Sequence, residues 1–431
     1  MTLLDHSVRR RSFLKTTTAL GAGVLVAPYL SSLRAAEPAS GRLRVAIMGL
    51  GRGLDHVNAL LGIPNVEIAY ICDVDDQRLL RAAAAIERKN SFAKPAQVKD
   101  VRRVLDDKTV DALFVAAPNF WHSTATVMAC KAGKHVYVEK PGSYNPAEGQ
   151  LMVSAARKYD RRVQMGNQRR TWPMVREAVE RLRGGVIGRL FSARAWYDAA
   201  RPGIGRGKTV PVPVGLDYSL WQGPTPERPY VDNLIHYNWH WRWHWGNGEL
   251  GNNGPHFLDV ARWGLGLEYP LRIAHSGGRY HFNDDQETPD TAVATYDFGD
   301  KFISWDSSSG HPRPAEKHPF VSFYGEGGML SIVGTGYVIY DQKGQELDRK
   351  TGAGGEKDHI ANFLASIRSG AELNSEIEEG QKSTLLCHLG NIAYRVGRTV
   401  RFDPEKHAIA GDSAATRLWS RDYRHGWELK V

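Results

Sequence analysis

The sequence predicts an α/β fold: an N-terminal doubly wound parallel sheet, then a second domain of α+β type. Three observations carry that expectation. Between residues 42 and 73 an apolar strand, a glycine-rich turn, a helix-like run and a second strand ending in an acid follow one another. Strand–helix units then continue as far as Pro141. From 271 to 340 the pattern changes to short strands separated by glycine turns, as in an antiparallel sheet.

The chain has 431 residues, 42% hydrophobic and 24% charged, the composition of a globular protein of two to three domains. The net charge is +9, of which Arg9, Arg10, Arg11, Lys15 and Arg34 against Asp5 supply +4 within the first 36 residues. The rest is too mild and dispersed for a nucleic-acid partner. Cys72, Cys130 and Cys387 lack CxxC spacing and read as small buried hydrophobes rather than a disulfide framework or thiolate metal site.

Residues 1–36 read as an export signal: a basic start, an apolar stretch from Thr16 to Tyr29, then small residues near Ala35 and Ala36. The apolar part is too short for a comfortable membrane span. The run Arg10-Arg11-Ser12-Phe13-Leu14-Lys15 resembles a twin-arginine signal. That resemblance implies export of an already folded protein to a periplasmic or other extracytoplasmic space.

The first domain is placed at 42–165. Gly49 permits the tight turn after the first strand, and Gly51 lets backbone amides approach a pyrophosphate at the next helix. The third glycine position holds Leu54, with Gly53 beside it. Asp73, 24 residues beyond Gly49, suits the ribose hydroxyls of NAD. Arg52 and Arg78 are close enough to leave NADP possible. The second unit ends in the loop Pro118-Asn119-Phe120-Trp121-His122, and the next strand ends in Glu139-Lys140-Pro141. Ligands gather at such carboxyl ends, so Pro118, Asn119, His122, Glu139 and Lys140 join the expected cofactor-binding set.

The segment from Asp111 to Pro141, with A-A-P-N-F-W-H and K-A-G-K-H-V-Y-V-E-K-P, resembles the Gfo/Idh/MocA family, as does Gly248 to Asp259 (G-E-L-G-N-N-G-P-H-F-L-D). The resemblance spans residues 42–400. It implies a Rossmann domain followed by an open, mostly antiparallel sheet domain, with substrate between them. It also implies that Lys140 and His256 carry the proton chemistry. The family's aspartate four residues before the histidine is Asn252 here, which can orient a hydroxyl but cannot act as a carboxylate base.

The second domain is placed at 166–400, carrying substrate contacts and the contacts of a homo-oligomer, with a tail at 401–431. Gln168 and Arg169, at a strand end, suit hydroxyl recognition or form a solvated loop. Residues 198–233 read as an inserted loop or lid. The run from His236 to Trp245 alternates strictly, placing His236, Asn238, His240, Arg242 and His244 on one face of a strand and Tyr237 with four tryptophans on the other. The polar face would meet a sugar or solvent. As a helix, the same histidines would fall at metal-ligand spacing, but the tryptophans favour a strand and no metal is expected. Asp259 reads as structural.

The expected activity is hydride transfer between a carbohydrate and a nicotinamide, with His256 as base and Lys140 steadying the oxygen. Export implies a cofactor held tightly. Two other readings stay open: redox-neutral glycoside cleavage through transient oxidation, and a non-catalytic sugar-binding protein.

Overall fold

Six short parallel strands open the portion of the chain that the computed structural model describes, residues 41–90 and 94–431; the expected export leader lies outside those residues. The strands are β1 (Leu43–Met48), β2 (Val66–Cys72), β3 (Ala96–Val98), β4 (Ala112–Val115), β5 (His135–Val138) and β6 (Val163–Met165). Between them run α1 (Gly53–Leu60), α2 (Asp76–Lys89), α3 (Val101–Asp106), α4 (Asn119–Lys131) and α5 (Pro146–Lys158). The sheet order is β3-β2-β1-β4-β5-β6, the Rossmann arrangement, whose strand order reverses between β1 and β4. The strands are near-continuous apolar runs because helices cover both faces. Local chemistry sets the helix starts: the Asn145 side chain accepts from the Glu148 amide, with Pro146 at the first helical position.

The second part contains α6 (Pro173–Arg183), β7 (Leu190–Asp198), α7 (Tyr218–Gln222), α8 (Gly248–Asn252) and α9 (Gly254–Leu265). Strands β8 (Arg272–Gly278), β9 (Thr291–Asp297), β10 (Phe302–Ser308), β11 (Val321–Gly325), β12 (Gly328–Val333), β13 (Gly336–Asp341) and β14 (Glu346–Lys350) follow. The chain closes with α10 (Lys357–Ser369), α11 (Ile377–Val396), β15 (Val400–Asp403), β16 (Ala408–Ile409) and α12 (Ser413–Thr416). Ten strands form one mixed sheet, β14-β13-β12-β11-β7-β10-β9-β8-β15-β16, in which only β7 and β10 pair in parallel. Helices α6, α9 and α11 cover one face over a core that includes Trp305, Tyr296 and Phe323. Burial of a purely apolar side chain such as Phe323 stabilises by roughly 1.5–3 kcal/mol. Helix α10 instead returns to the first domain, where Phe363 meets Phe114 edge-on at 5.6 Å.

Three expectations need correction. The loop expected at 118–122 is largely the first turn of α4, which begins at Asn119. Residues 198–233 are the irregular insertion expected, but the lid alternative needs correction, since Tyr218, Trp221 and Tyr230 are buried in the cluster around α4. The alternating run at 236–245 is not a strand. It folds as a 3-10 turn over Asn238–Trp241, with the Trp239 indole donating to the His236 carbonyl at 3.0 Å. Tertiary packing separates its tryptophans: Trp239 and Trp245 pack on Phe120, whereas Trp241 lies under the Arg201 guanidinium. The aromatic tail folds back on the first domain, where Trp427 meets Trp121 at 5.1 Å and Tyr423 donates to Glu148.

Candidate functional site

The turn between β1 and α1 is fixed by backbone crowding. Gly49 has φ +88°, and a Cβ there would lie 2.5 Å from the Ala116 carbonyl oxygen. Gly53 supplies the third glycine's service, because a Cβ there would come within 2.7 Å of Ile47 on β1; helix and strand therefore approach closely although Leu54 occupies the usual position. The Asp73 carboxylate accepts from the Leu50 amide at 2.7 Å and the Asp75 amide at 3.1 Å. Burial raises its pKa, and those amides oppose the rise.

A groove open to solvent runs past Gly49, Asp73, Arg78, Pro118, Trp221 and His236. The Gly51 and Arg52 amides, in the turn that follows Gly49, have no acceptor among the described residues. Free amides, a glycine cradle that a Cβ would fill and a carboxylate at the end of β2 fit a dinucleotide.

Several residues expected at the cofactor are engaged inside the fold. The Arg52 side chain and Glu139 form an ion cluster with His56 and Glu356 beneath the glycine turn. Burial disfavours a charged His56, but the two glutamates outweigh it and raise its pKa. Burial would likewise raise Glu139, yet His56, Arg52 and Lys140 hold it well below the carboxylate range. His56, Glu139 and Glu356 bring their ligand atoms within 4.8 Å of one another, and Arg52 already supplies a cation there. Asn119 donates to Asn247 at 3.1 Å, and both His122 ring nitrogens face backbone carbonyls of Pro141 and Ala117. These groups hold the strand ends in place, because helix α4 starts early and turns them inward.

Lys140, at the end of β5, donates to the Asn252 carbonyl at 2.7 Å and its side-chain oxygen at 3.1 Å. Burial lowers the lysine pKa, with Glu139 opposing. An amide at Asn252 orients the ammonium without neutralising it. His256, in the first turn of α9, makes no side-chain hydrogen bond to any described residue. Burial, then Lys140 and Arg169, push its pKa well below 6.5, so its ring is neutral at neutral pH. Lys140, Asn252 and His256 thus form one group where the two sheets' elements meet.

The expected substrate residues disperse. His236 meets Asp75 at 2.7 Å beside the dinucleotide groove. Arg242 is held by Asn233 and Asp285, and His244 faces the Pro226 carbonyl. His240 stacks on Trp239 at 3.6 Å and is pushed down to about 3 by burial, with Lys140 adding to the effect. They share no face because the run turns instead of extending. Gln168 is buried against Tyr137 and Glu139. Arg169 keeps to the cleft wall, over Phe320.

Tyr237 was expected on the packing face, yet it is 56% exposed, with its hydroxyl near Asn252. Only the turn at 238–241 brings it there. Buried Glu249 accepts from Arg201 and Ser309 behind the same group. Asp259 grips Arg170 through bonds of 2.8 to 3.0 Å.

The family description "Oxidoreductase family, NAD-binding Rossmann fold" matches residues 43–167, and its "C-terminal alpha/beta domain" matches residues 196–429, both under the Gfo/Idh/MocA heading. A "Glycosyl hydrolase family 109 protein" of Shewanella sp. (strain W3-18-1) is 28% identical over 215 residues, 44% of this chain and 46% of that protein. One of the same description from Saccharopolyspora erythraea is 32% identical over 169 residues, 35% of this chain and 37% of that one. The chain thus matches less than half the length of these relatives. Among solved structures, the WlbA dehydrogenase of Bordetella pertussis, in complex with NADH and UDP-GlcNAcA, superposes with a TM-score of 0.65 at 20% identity, covering 84% of this chain and 99% of that one. The aldose-aldose oxidoreductase of Caulobacter crescentus, complexed with glycerol, gives 0.64 at 18%, covering 84% and 100%.

Proposed function

Because the chain belongs to the Gfo/Idh/MocA oxidoreductase family, with an NAD-binding Rossmann domain, we propose that it oxidises or reduces a carbohydrate hydroxyl carbon with a tightly held NAD. The observation that carries this is the group Lys140–Asn252–His256 at the carboxyl end of the parallel sheet. Bound NAD would supply the hydride acceptor or donor. The free amides of Gly51 and Arg52 would hold its pyrophosphate and Asp73 its ribose. The neutral His256 ring takes the substrate hydroxyl proton at a nitrogen that no described residue occupies. The Lys140 ammonium, aimed by Asn252, steadies the negative charge growing on that oxygen. Tyr237, on Asn252, closes the polar ring around it.

Redox-neutral glycoside cleavage is the second reading, favoured by the family 109 glycosyl hydrolase relatives. Under either reading the Arg10–Lys15 motif supports twin-arginine export to the periplasm, which explains why a trapped cofactor would suit this chain. The outer sheet face, with Phe191, Val293 and Phe302 exposed, supports a homo-oligomer. Among the described residues no helix is long and apolar enough to cross a membrane.

The test is turnover of sugars and glycosides by purified protein without added cofactor. Bound-nicotinamide reduction or glycoside cleavage, lost in Lys140→Ala and His256→Ala, is expected. Retained turnover in both variants would refute the residue roles, and no turnover on any substrate would favour a sugar-binding protein.

A further inference from the structure

Arg169 is a cation without a counter-charge. It sits on the 3-10 turn Gln168–Thr171 that follows β6. Its guanidinium carbon lies 4.4 Å over the Trp172 ring and 3.8 Å over the Phe320 ring. Its Nε is sealed from solvent and has no acceptor. It makes no ion pair among the described residues, and burial alone, with no carboxylate opposing it, pushes its pKa down to about 10. Arg169 is partly buried, and the desolvation of its charge is offset only by ring faces, worth up to about 2 kcal/mol. Neighbouring arginines have carboxylate partners: Arg170 has Asp259 and Arg262 has Glu379.

The position of this cation is informative. Phe320 stacks on Phe257 with centroids 4.0 Å apart, and Phe257 follows His256. The charge of Arg169 also acts on His256. The guanidinium therefore lies near the reacting group, joined to the His256–Phe257 turn through the Phe320 ring. Its planar fork matches a carboxylate bidentately.

We propose that Arg169 binds a carboxylate carried by the substrate, making an acidic sugar such as a hexuronic acid or its glycoside the preferred ligand. This rests on the carbohydrate reading above and narrows it. It also changes the expected role of Arg169 from hydroxyl recognition to charge recognition.

The test uses the NAD-loaded protein and sets of methyl hexoside, methyl hexuronide and hexose 6-phosphate in gluco, galacto and manno configuration. Binding is read by calorimetry, independently of turnover. In wild type, the uronide of at least one configuration is expected to bind roughly ten- to a hundredfold more tightly than its neutral partner, the span of a charge-assisted pair. In Arg169→Gln that ratio is expected to fall towards one, and Arg169→Lys to restore part of it. The wild-type ratio needs no variant and stands even if Arg169→Gln fails to fold. No uronide preference in any configuration, or a stronger preference for the phosphate, overturns the proposal. So does a preference that Arg169→Gln leaves intact, or a variant that weakens NAD instead. Selective uronide binding without redox change or cleavage would sink the proposed function and leave this assignment standing. Turnover of neutral sugars without uronide preference would do the reverse.

Discussion

Arg169 and Arg170 sit side by side on one turn, yet the fold treats their charges differently. Arg170 is buried and held bidentately by Asp259, which also accepts from Ser383 at 2.7 Å; Arg262 extends this network to Glu379. Arg169 has aromatic rings and no anion. The same contrast separates the floor beneath the cleft from its wall. On the floor, charges are matched within the chain. Nearer the reacting group, the Arg169 guanidinium and the His256 imidazole keep polar atoms that no described residue satisfies. Groups left unmatched at a net cost are the ones a ligand completes.

Breaking the paired side should have the largest effect on stability. Asp259→Ala removes the close partner of the buried Arg170 charge, leaving only Glu379 at 3.5 Å, and is expected to cost about 3 kcal/mol. Arg169→Gln removes a charge that was unpaired and should change stability by about 1 kcal/mol or less. Urea unfolding of both variants checks this, and equal losses would erase the distinction.

Acid should erode the scaffold next. His359 donates to the Met165 carbonyl and accepts from Thr171, and His388 bonds Ser143. Burial pushes these rings down to about 4 and about 3. In the unfolded chain they titrate near 6.5. As pH falls below that value the unfolded state takes up protons that the folded state refuses, so stability declines. At pH 5 the two together cost at most roughly 4 kcal/mol relative to neutral pH. His56, whose pKa is raised, works in the opposite sense and offsets part of the loss. Urea midpoints at pH 7 and pH 5 measure the net decline, and an unchanged midpoint would contradict neutral burial.

The cofactor side should respond most gently. Asp73→Asn keeps the shape of the strand end but loses the charge offered to the ribose. About a tenfold loss of NAD affinity is expected, read by cofactor retention on dilution. Unaltered retention would remove Asp73 from the binding set.

The parts of the fold that were legible in the sequence are those fixed by local chemistry. Gly49 must accept a positive φ, β2 must end in an acid, and Asn145-Pro146 must start a helix, whatever lies elsewhere. The run from His236 to Trp245 was misread because its period-two polarity mimics a strand. Its tryptophans are claimed by separate neighbours, Phe120 on one side and Arg201 on the other, and tertiary packing overrode the local pattern. The His56–Glu139–Glu356 cluster and the approach of Tyr237 to Asn252 join residues distant in sequence or turned by that run, which no spacing rule anticipates. Likewise, Arg169 and Arg170 look alike in the sequence; only the fold shows which one is paired.

The most direct test of the whole account is rapid mixing of the protein, with the cofactor it retains from purification, against the sugar panel. The account predicts NAD present in the purified protein and a change in nicotinamide absorbance on substrate addition. In His256→Ala that change should be slower by roughly 10²–10⁴-fold, with the NAD content unaltered. Retained NAD with an equally fast change in His256→Ala, or protein that holds no NAD and gives no change with any sugar, would contradict it.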